Sequence, residues 1–309
     1  MSITKYLDHV TDKWKVRTSK VLEAVNYLKA FGYLNDSSIL VESNDNTVEH
    51  AVRNFQRSID ITEDGEVGPQ TLRAMQYPRC GCPDALALER AEQLRKWGKT
   101  HLTYHVERRD LNDLTAEEWD RTLAKALRFW SDITKLSFER VHSKNRANLN
   151  FSVGAGRSDN FDGPGRTLAW AYLPPSDSYH GRLEARFDKA ERWIVDKGRG
   201  IRLLNVACHE IGHLLGLAHS EKKGALMAPY YNPSIEKPQI VDDVPRIVQL
   251  YGEPAPPKPP APPAPPTPKP APKPTPEPPK PAETLTINIK GEVSHIDIPG
   301  YRVTPLRKS

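Results

Sequence analysis

The chain has 309 residues, which gives a prior of about two domains, each long enough to bury a core. Its formal charge is +5, but Glu253–Ser309 carries eight Lys/Arg against five Asp/Glu, so the rest is close to balanced and nucleic-acid binding is excluded. Three cysteines exclude a disulfide-stapled mini-domain and leave at least one thiol unpaired, reactive or metal-bound, and no apolar run approaches the ~18 residues of a membrane span.

The first residues, MSITKYLDHVTDKWKVRT, contain no apolar core, so no signal peptide is visible in this sequence. Residues 17–34 read as a helix because Val21, Ala24, Val25, Leu28 and Phe31 recur at helical spacing. A second helix fits 47–59, with Val48, Ala51, Val52 and Phe55 as its stripe. Asp64-Gly65 signals a turn, and Gly68-Pro69 opens a short helix through Met75, with proline in the first turn.

His101–Val106 alternates like a strand. Thr115 and Glu118 form a capping box for a helix carrying Trp119, Leu123, Leu127 and Trp130. Short strands are expected at Leu136–Arg140, Leu149–Val153, Thr167–Leu173 and Leu183–Phe187, and helices at about Leu203–Leu215 and Asp242–Tyr251, an α+β pattern. Seventeen of the 29 prolines then fall between Pro254 and Pro281, an extended spacer that cannot bury a core. Alternating Leu285, Ile287 and Ile289, then Ile296 and Ile298, suggest two short strands in a tail too short to stand as a domain unaided.

The decisive segment is His209-Glu210-Ile211-Gly212-His213-Leu214-Leu215-Gly216-Leu217-Ala218-His219. Residues four apart share a helical face, so His209 and His213 can bind one metal ion. Gly216 lets the chain leave the helix, and His219 returns as a third ligand, leaving one position open as a catalytic zinc requires. Three neutral imidazoles preserve the ion's acidity, and Glu210 is placed to take a proton from an attacking water and deliver it to a leaving amine.

This extended pattern resembles the metzincins. Ser220, Ala225-Leu226-Met227, Lys99-Thr100-His101-Leu102-Thr103-Tyr104, Phe161-Asp162-Gly163-Pro164-Gly165 and Asp242-Asp243 resemble the matrixins, the matrix metalloproteinase family, over roughly residues 17–252. The resemblance implies a metzincin catalytic domain, a twisted and mostly parallel five-stranded sheet with three helices, preceded by a three-helix propeptide. It implies a zinc endopeptidase of extracellular or matrix-type proteins, outside the cell or at its surface, with Met227 beneath the metal. Pro78-Arg79-Cys80-Gly81-Cys82-Pro83-Asp84 resembles the family's cysteine switch, which assigns Cys80 to the zinc in a latent form and pairs Arg79 with Asp84. An aliphatic residue usually stands where Cys82 is; this second thiol can compete for the metal or oxidise with another chain. Cys208 reads as a small buried residue.

Phe31-Gly32-Tyr33-Leu34, Phe55-Gln56, Gly65, Gly68 and Thr71-Leu72 make the N-terminal unit resemble a peptidoglycan-binding domain, so a cell-wall glycan is a candidate partner. Asp162, Asp188 and Glu191, with carbonyls of Gly163, Gly165 and Thr167, match a calcium site. Arg157, Trp170 and Arg186 stand where the family has three zinc-binding histidines, so the structural zinc is expected to be absent; with Asp159 they can form an ion-pair and cation–π cluster instead. The substrate cleft is expected along Trp170 and Ala171 of an edge strand, with Pro229 and Tyr231 as its wall and Asn205 in the adjoining pocket. The expected organisation is 1–95 propeptide, 96–252 catalytic domain, 253–283 linker and 284–309 tail, acting as a monomer on a protein or peptide substrate. Two rivals remain: a cell-wall binding protein with an accessory protease domain, and a catalytically dead binding module, for which Glu210 would be unnecessary.

Overall fold

The computed structural model describes residues 3–34, 48–84, 95–107, 114–196 and 198–254. The proline-rich segment and the two strands expected after it lie outside the described residues.

Four helices precede the switch segment: α1 (Ile3–Trp14), α2 (Thr18–Ala30), α3 (Val48–Ile59) and α4 (Pro69–Ala74). The last three are those expected from the sequence, and α1 is additional. Tyr6 and Val10 of α1 join Val21, Val25 and Leu28 of α2 and Val52 and Phe55 of α3 in one core. Its polar contacts fix the turn at Asp64-Gly65. The Tyr6 hydroxyl donates to Gly65 O at 2.9 Å and accepts from the Val67 N–H at 3.1 Å. Buried Gln56 donates to Asp64 Oδ1 at 2.6 Å and accepts from the Gly65 N–H at 2.8 Å, so its burial leaves no amide group unsatisfied.

The remainder contains β1 (Arg79–Cys80), β2 (His101–Val106), α5 (Ala116–Ser131), β3 (Ser137–Arg140), β4 (Leu149–Gly154), β5 (Thr167–Ala171), β6 (Leu183–Asp188), a small β7 (Trp193–Ile194) and β8 (Ile201–Arg202) pair, α6 (Leu203–Leu214) and α7 (Asp243–Tyr251). The main sheet runs β1-β5-β6-β4-β2-β3, and every pairing is parallel except β5 with β6. Five of these strands match the expected catalytic sheet; the sixth, β1, is the switch segment itself, laid on the free edge of β5. The Thr115–Glu118 capping box starts α5 as expected, with the Thr115 hydroxyl accepting from Glu118 N–H and the Glu118 carboxylate from Thr115 N–H.

Helix α6 is buried along its whole length, and its unsatisfied end is filled by side chains from elsewhere. The Trp97 indole donates to Leu214 O at 2.7 Å and the Tyr251 hydroxyl to Leu215 O at 2.8 Å. The Trp130 indole donates to Cys208 O at 3.0 Å, so large apolar rings clamp the helix that carries the histidines. At Gly216 the backbone has φ +105°, and a Cβ there would lie 2.1 Å from Arg95 O, so only glycine permits this exit from the helix. Among the described residues no helix is long and apolar enough to cross a membrane.

Candidate metal centre

His209 and His213 lie one turn apart on α6, and the chain reverses at Gly216 to bring His219 beside them. Each of the first two rings is oriented by a main-chain acceptor: His209 Nδ1 lies 2.7 Å from Leu226 O, and His213 Nδ1 lies 2.7 Å from Leu217 O. A carbonyl only accepts, so both rings carry their proton on Nδ1 and turn an Nε2 lone pair inward. These two Nε2 atoms are 3.1 Å apart. His219 Nδ1 sits 2.8 Å from Asp84 Oδ1, and its Nε2 is buried without a hydrogen-bond partner. Cys80 Sγ completes the group at 3.4 Å from His213 Nε2, and all four donor atoms lie within 4.8 Å of one another.

Converging lone pairs repel one another unless a cation stands between them. Nitrogen donors just over 3 Å apart match the spacing around a tetrahedral zinc with bonds of about 2.0–2.1 Å, so these residues fit that ion. Burial, reinforced by the neighbouring imidazoles, holds His209 well below its usual pKa, in the neutral form a metal needs. Glu210 is fully buried, no N–H or O–H donor reaches either carboxylate oxygen, and burial pushes its pKa up to about 8.

The switch segment crosses this centre as an extended strand held on both sides. On one side Arg79 N–H donates to Arg166 O at 2.8 Å and Gly81 N–H to Ala169 O at 2.7 Å, in parallel register with β5. On the other, Cys80 N–H donates to Pro229 O at 2.9 Å and Tyr231 N–H to Pro78 O at 2.9 Å. Arg79 and Asp84, predicted to pair, are 2.5 Å apart at Nη2 and Oδ1. The sequence reading missed the rest of this lock. The Arg79 guanidinium lies 3.5 Å from the Phe31 ring centroid and over the rings of Tyr27 and Tyr230, and it donates to both tyrosine hydroxyls. The spacing of Tyr27 and Phe31 on α2 was visible, but nothing local pairs them with an arginine 52 residues from Tyr27. The Asp84–His219 contact spans 135 residues and was equally unforeseen.

Asn205 is buried beside this centre, with Nδ2–H donating to Asn232 O at 3.1 Å and Oδ1 unpaired; it lines one pocket with Val206, Pro229 and Tyr231. Gly212 leaves room for Met227: a Cβ on it would lie 2.3 Å from the Met227 sulfur, which places that side chain under the histidines. Buried Asp243 fixes the turn above, accepting from the N–H groups of Leu226, Met227 and Gln239 at 2.7, 3.0 and 2.8 Å.

Asp162, Asp188 and Glu191 are near enough for their charges to act on one another. Thr167 N–H donates to Asp162 at 3.1 Å and Gly165 N–H to Glu191 at 2.5 Å, while one oxygen of Asp188 is buried without a partner. Burial and, after it, mutual repulsion raise the pKa of Asp188 and Glu191.

The cluster expected in place of the structural zinc needs one correction. Trp170 and Arg186 are register partners across β5 and β6, and the guanidinium lies over the indole at 5.3 Å. Arg186 pairs with Asp159 and with Glu184, and the Trp170 indole donates to Asp159 O at 2.8 Å. Arg157, in the turn after Gly156, is exposed, and Glu184 takes the fourth place.

Residues 96–252 match the matrixin peptidase family, half of the chain. The chain belongs to the matrixin family. Residues 17–75 match a putative peptidoglycan binding domain. The chain is 37% identical to an interstitial collagenase of Sus scrofa over 231 residues, 73% of this chain and 48% of the collagenase. It is 36% identical to stromelysin-1 of Mus musculus, covering 74% of this chain and 46% of that protein. It is 35% identical to metalloendoproteinase 1-MMP of Arabidopsis thaliana over 258 residues, 76% of this chain and 69% of that relative. The chain thus spans about half the length of the two animal relatives and over two thirds of the plant matrixin. Matrixins use a catalytic zinc, and the histidine cluster lies inside the matched segment.

Proposed function

We propose that this protein is a latent zinc endopeptidase that cleaves protein or peptide substrates of extracellular or matrix type. The observation that carries the reading is the convergence of the three histidine Nε2 atoms, with Cys80 Sγ closing the fourth side and Glu210 unpaired beside them. His209, His213 and His219 would hold the zinc, and Cys80 would be the fourth ligand of the latent form. When bound, zinc polarises the scissile carbonyl and lowers the pKa of a water molecule. Glu210 accepts the proton of the attacking water and returns it to the departing amine nitrogen. The edge of β5, with Ala171 and the backbone beside Trp170, and the wall at Pro229 and Tyr231 bind substrate as an added strand once the switch segment leaves. Asn205 presents a polar group to the substrate side chain in the adjoining pocket. Asp162, Asp188 and Glu191, with Gly163, Gly165 and Thr167, hold calcium.

The match over residues 17–75 favours a second reading, in which the N-terminal helices bind a cell-wall glycan. Full-length protein that co-sediments with peptidoglycan but cleaves no peptide after propeptide removal would favour it. The main test compares metal content and peptide hydrolysis in wild type, Cys80→Ala and Glu210→Ala. One zinc per chain, a gain of activity in Cys80→Ala and a loss of about 10²-fold or more in Glu210→Ala support the endopeptidase. Full activity in Glu210→Ala refutes the assigned base, and no gain in Cys80→Ala refutes latency.

A further inference from the structure

The switch segment contains a second thiol that the latency reading does not use. Cys80 ends β1, and Cys82 follows Gly81 in the bend after it. Both are buried and unpaired, and their sulfurs lie within 4.8 Å of each other and of donor atoms of His213 and Glu210. Cys82 does not belong to the group formed by Cys80 with all three histidines; its thiol is 3.1 Å from Ala171 O. Gly81 presses on β5, since a Cβ there would lie 2.7 Å from Thr167 Cγ2, so the two cysteines are held close by a linker that admits no side chain. Cys82 also lines a cavity of about 940 Å³ between α2 and β5, bordered by Phe31, Thr167 and Trp170, whereas Cys80 lines only the narrow pocket of about 30 Å³ beside Asn205.

We infer that Cys80 and Cys82 form a reversible intrachain disulfide that withdraws Cys80 from the metal centre, making the latent form redox-controlled. The inference rests on the proposed zinc endopeptidase reading. Hydrogen peroxide entering by the cavity reacts at the Cys82 sulfur: the O–O bond breaks, Cys82 becomes a sulfenic acid, and water leaves with the thiol proton. The Cys80 sulfur, a thiolate as a zinc ligand must be, then attacks the Cys82 sulfur; the S–S bond forms, the S–O bond breaks, and the sulfenic oxygen departs as hydroxide, which takes a proton from solvent to become water. One thiol and one thiolate are oxidised to one disulfide, and one hydrogen peroxide with one solvent proton is reduced to two waters. A disulfide sulfur is a far weaker zinc donor than a thiolate, so the fourth position opens without cleavage of the chain. Cys82 acts as the partner that stops Cys80 from climbing to irreversible acids.

The test exposes the full zinc-loaded chain to hydrogen peroxide, then counts thiols in denaturant, maps peptides and assays hydrolysis of a quenched peptide. Expected are a fall from three free thiols to one, a Cys80–Cys82 link with Cys208 still free, and a rise in hydrolysis of about 10²-fold, the loss of a tethered ligand, that dithiothreitol reverses. Cys82→Ser and Cys82→Ala should give no link, and dithiothreitol should not reverse the oxidation of Cys80 in them. A Cys80 acid or adduct in wild type with Cys82 still free overturns the proposal. So does an intrachain link without a rise in hydrolysis when Cys80→Ser is active. A Cys80→Ser chain that stays inactive even after the propeptide is removed refutes the endopeptidase reading instead, while the thiol count and peptide map still decide whether the link forms.

Discussion

Replacing Arg79 with alanine should open the latent form. The guanidinium is 1% exposed and donates to Asp84 at 2.5 Å, to the Tyr27 hydroxyl at 2.8 Å and to Cys80 O at 3.0 Å. Its removal leaves Asp84 with the Tyr33 hydroxyl at 2.6 Å and His219 as partners, and leaves a cavity among Tyr27, Phe31 and Tyr230. Breaking a buried ion pair by deleting one partner costs about 3–5 kcal/mol. At about 1.4 kcal/mol per decade, the undocked population should rise by roughly 10²-fold to several thousand-fold. The assay is the rate at which a bulky maleimide labels Cys80 in the full chain, read by peptide mapping. Where redocking outruns labelling, that rate follows the undocked population. Arg79→Lys should also label fast, because an ammonium cannot reproduce the planar fork or its stacking on Phe31. Labelling of Arg79→Ala at the wild-type rate would refute the reasoning.

The same pair sets a pH dependence. Burial alone would raise the Asp84 pKa, but the Arg79 guanidinium and the His219 ring outweigh it and hold the carboxyl well below the usual aspartate range. A carboxyl depressed in the docked form supports docking fully above its free value, about 3.9, and the support is lost as pH falls through the docked value. The pair should therefore add no pH dependence to docking between about pH 5 and 8, and should weaken it only in strong acid. Labelling corrected for reagent chemistry that rises between those limits would contradict this.

Gly216→Ala should destabilise the fold by about 1–3 kcal/mol in urea titrations, since it forces a strained φ and a clash with Arg95 O. Stripping metal with a chelator should lower the melting temperature, and added zinc should restore it, because the ion binds only the folded arrangement of three imidazoles. An unchanged melting curve would count against the centre. Asp243→Asn should weaken zinc binding by about 10- to 100-fold in competition titrations, because an amide cannot accept from all three N–H groups that fix Leu226 and hence His209. Wild-type affinity in that variant would show that the turn holds without the carboxylate.

Where local periodicity decides structure, the sequence was informative. The strand at His101–Val106, the Thr115–Glu118 cap and the helix bearing His209 and His213 each follow from spacing and capping within a dozen residues. The features it did not reveal are those fixed by distant partners. Helix α1 has Tyr6, Val10 and Trp14 at four-residue spacing, yet its polar contacts are with Gly65, Glu66 and Val67, over fifty residues away. Strand β1 is two residues long and is held by distant backbone, the open edge of β5 on one side and Pro229–Tyr231 on the other. The cluster around Trp170 follows sheet register, which pairs Trp170 with Arg186; Arg157 lies off the strands and is left in solvent.

The histidine triad was legible, but the way it is held was not, and the three rings are not held alike. His209 and His213 are oriented by the carbonyls of Leu226 and Leu217, both in the matched matrixin segment. His219 is oriented by Asp84, on the same short segment as Cys80 and locked to Arg79. A carboxylate behind an imidazole raises its strength as a ligand and fixes its tautomer. The segment that closes the centre therefore also supports one of its ligands: Cys80 faces the triad from the front while Asp84 holds His219 from behind. On the proposed latency, undocking would remove both contacts in one event, which would couple the blocking of the metal to the orientation of its third ligand through the five residues from Cys80 to Asp84.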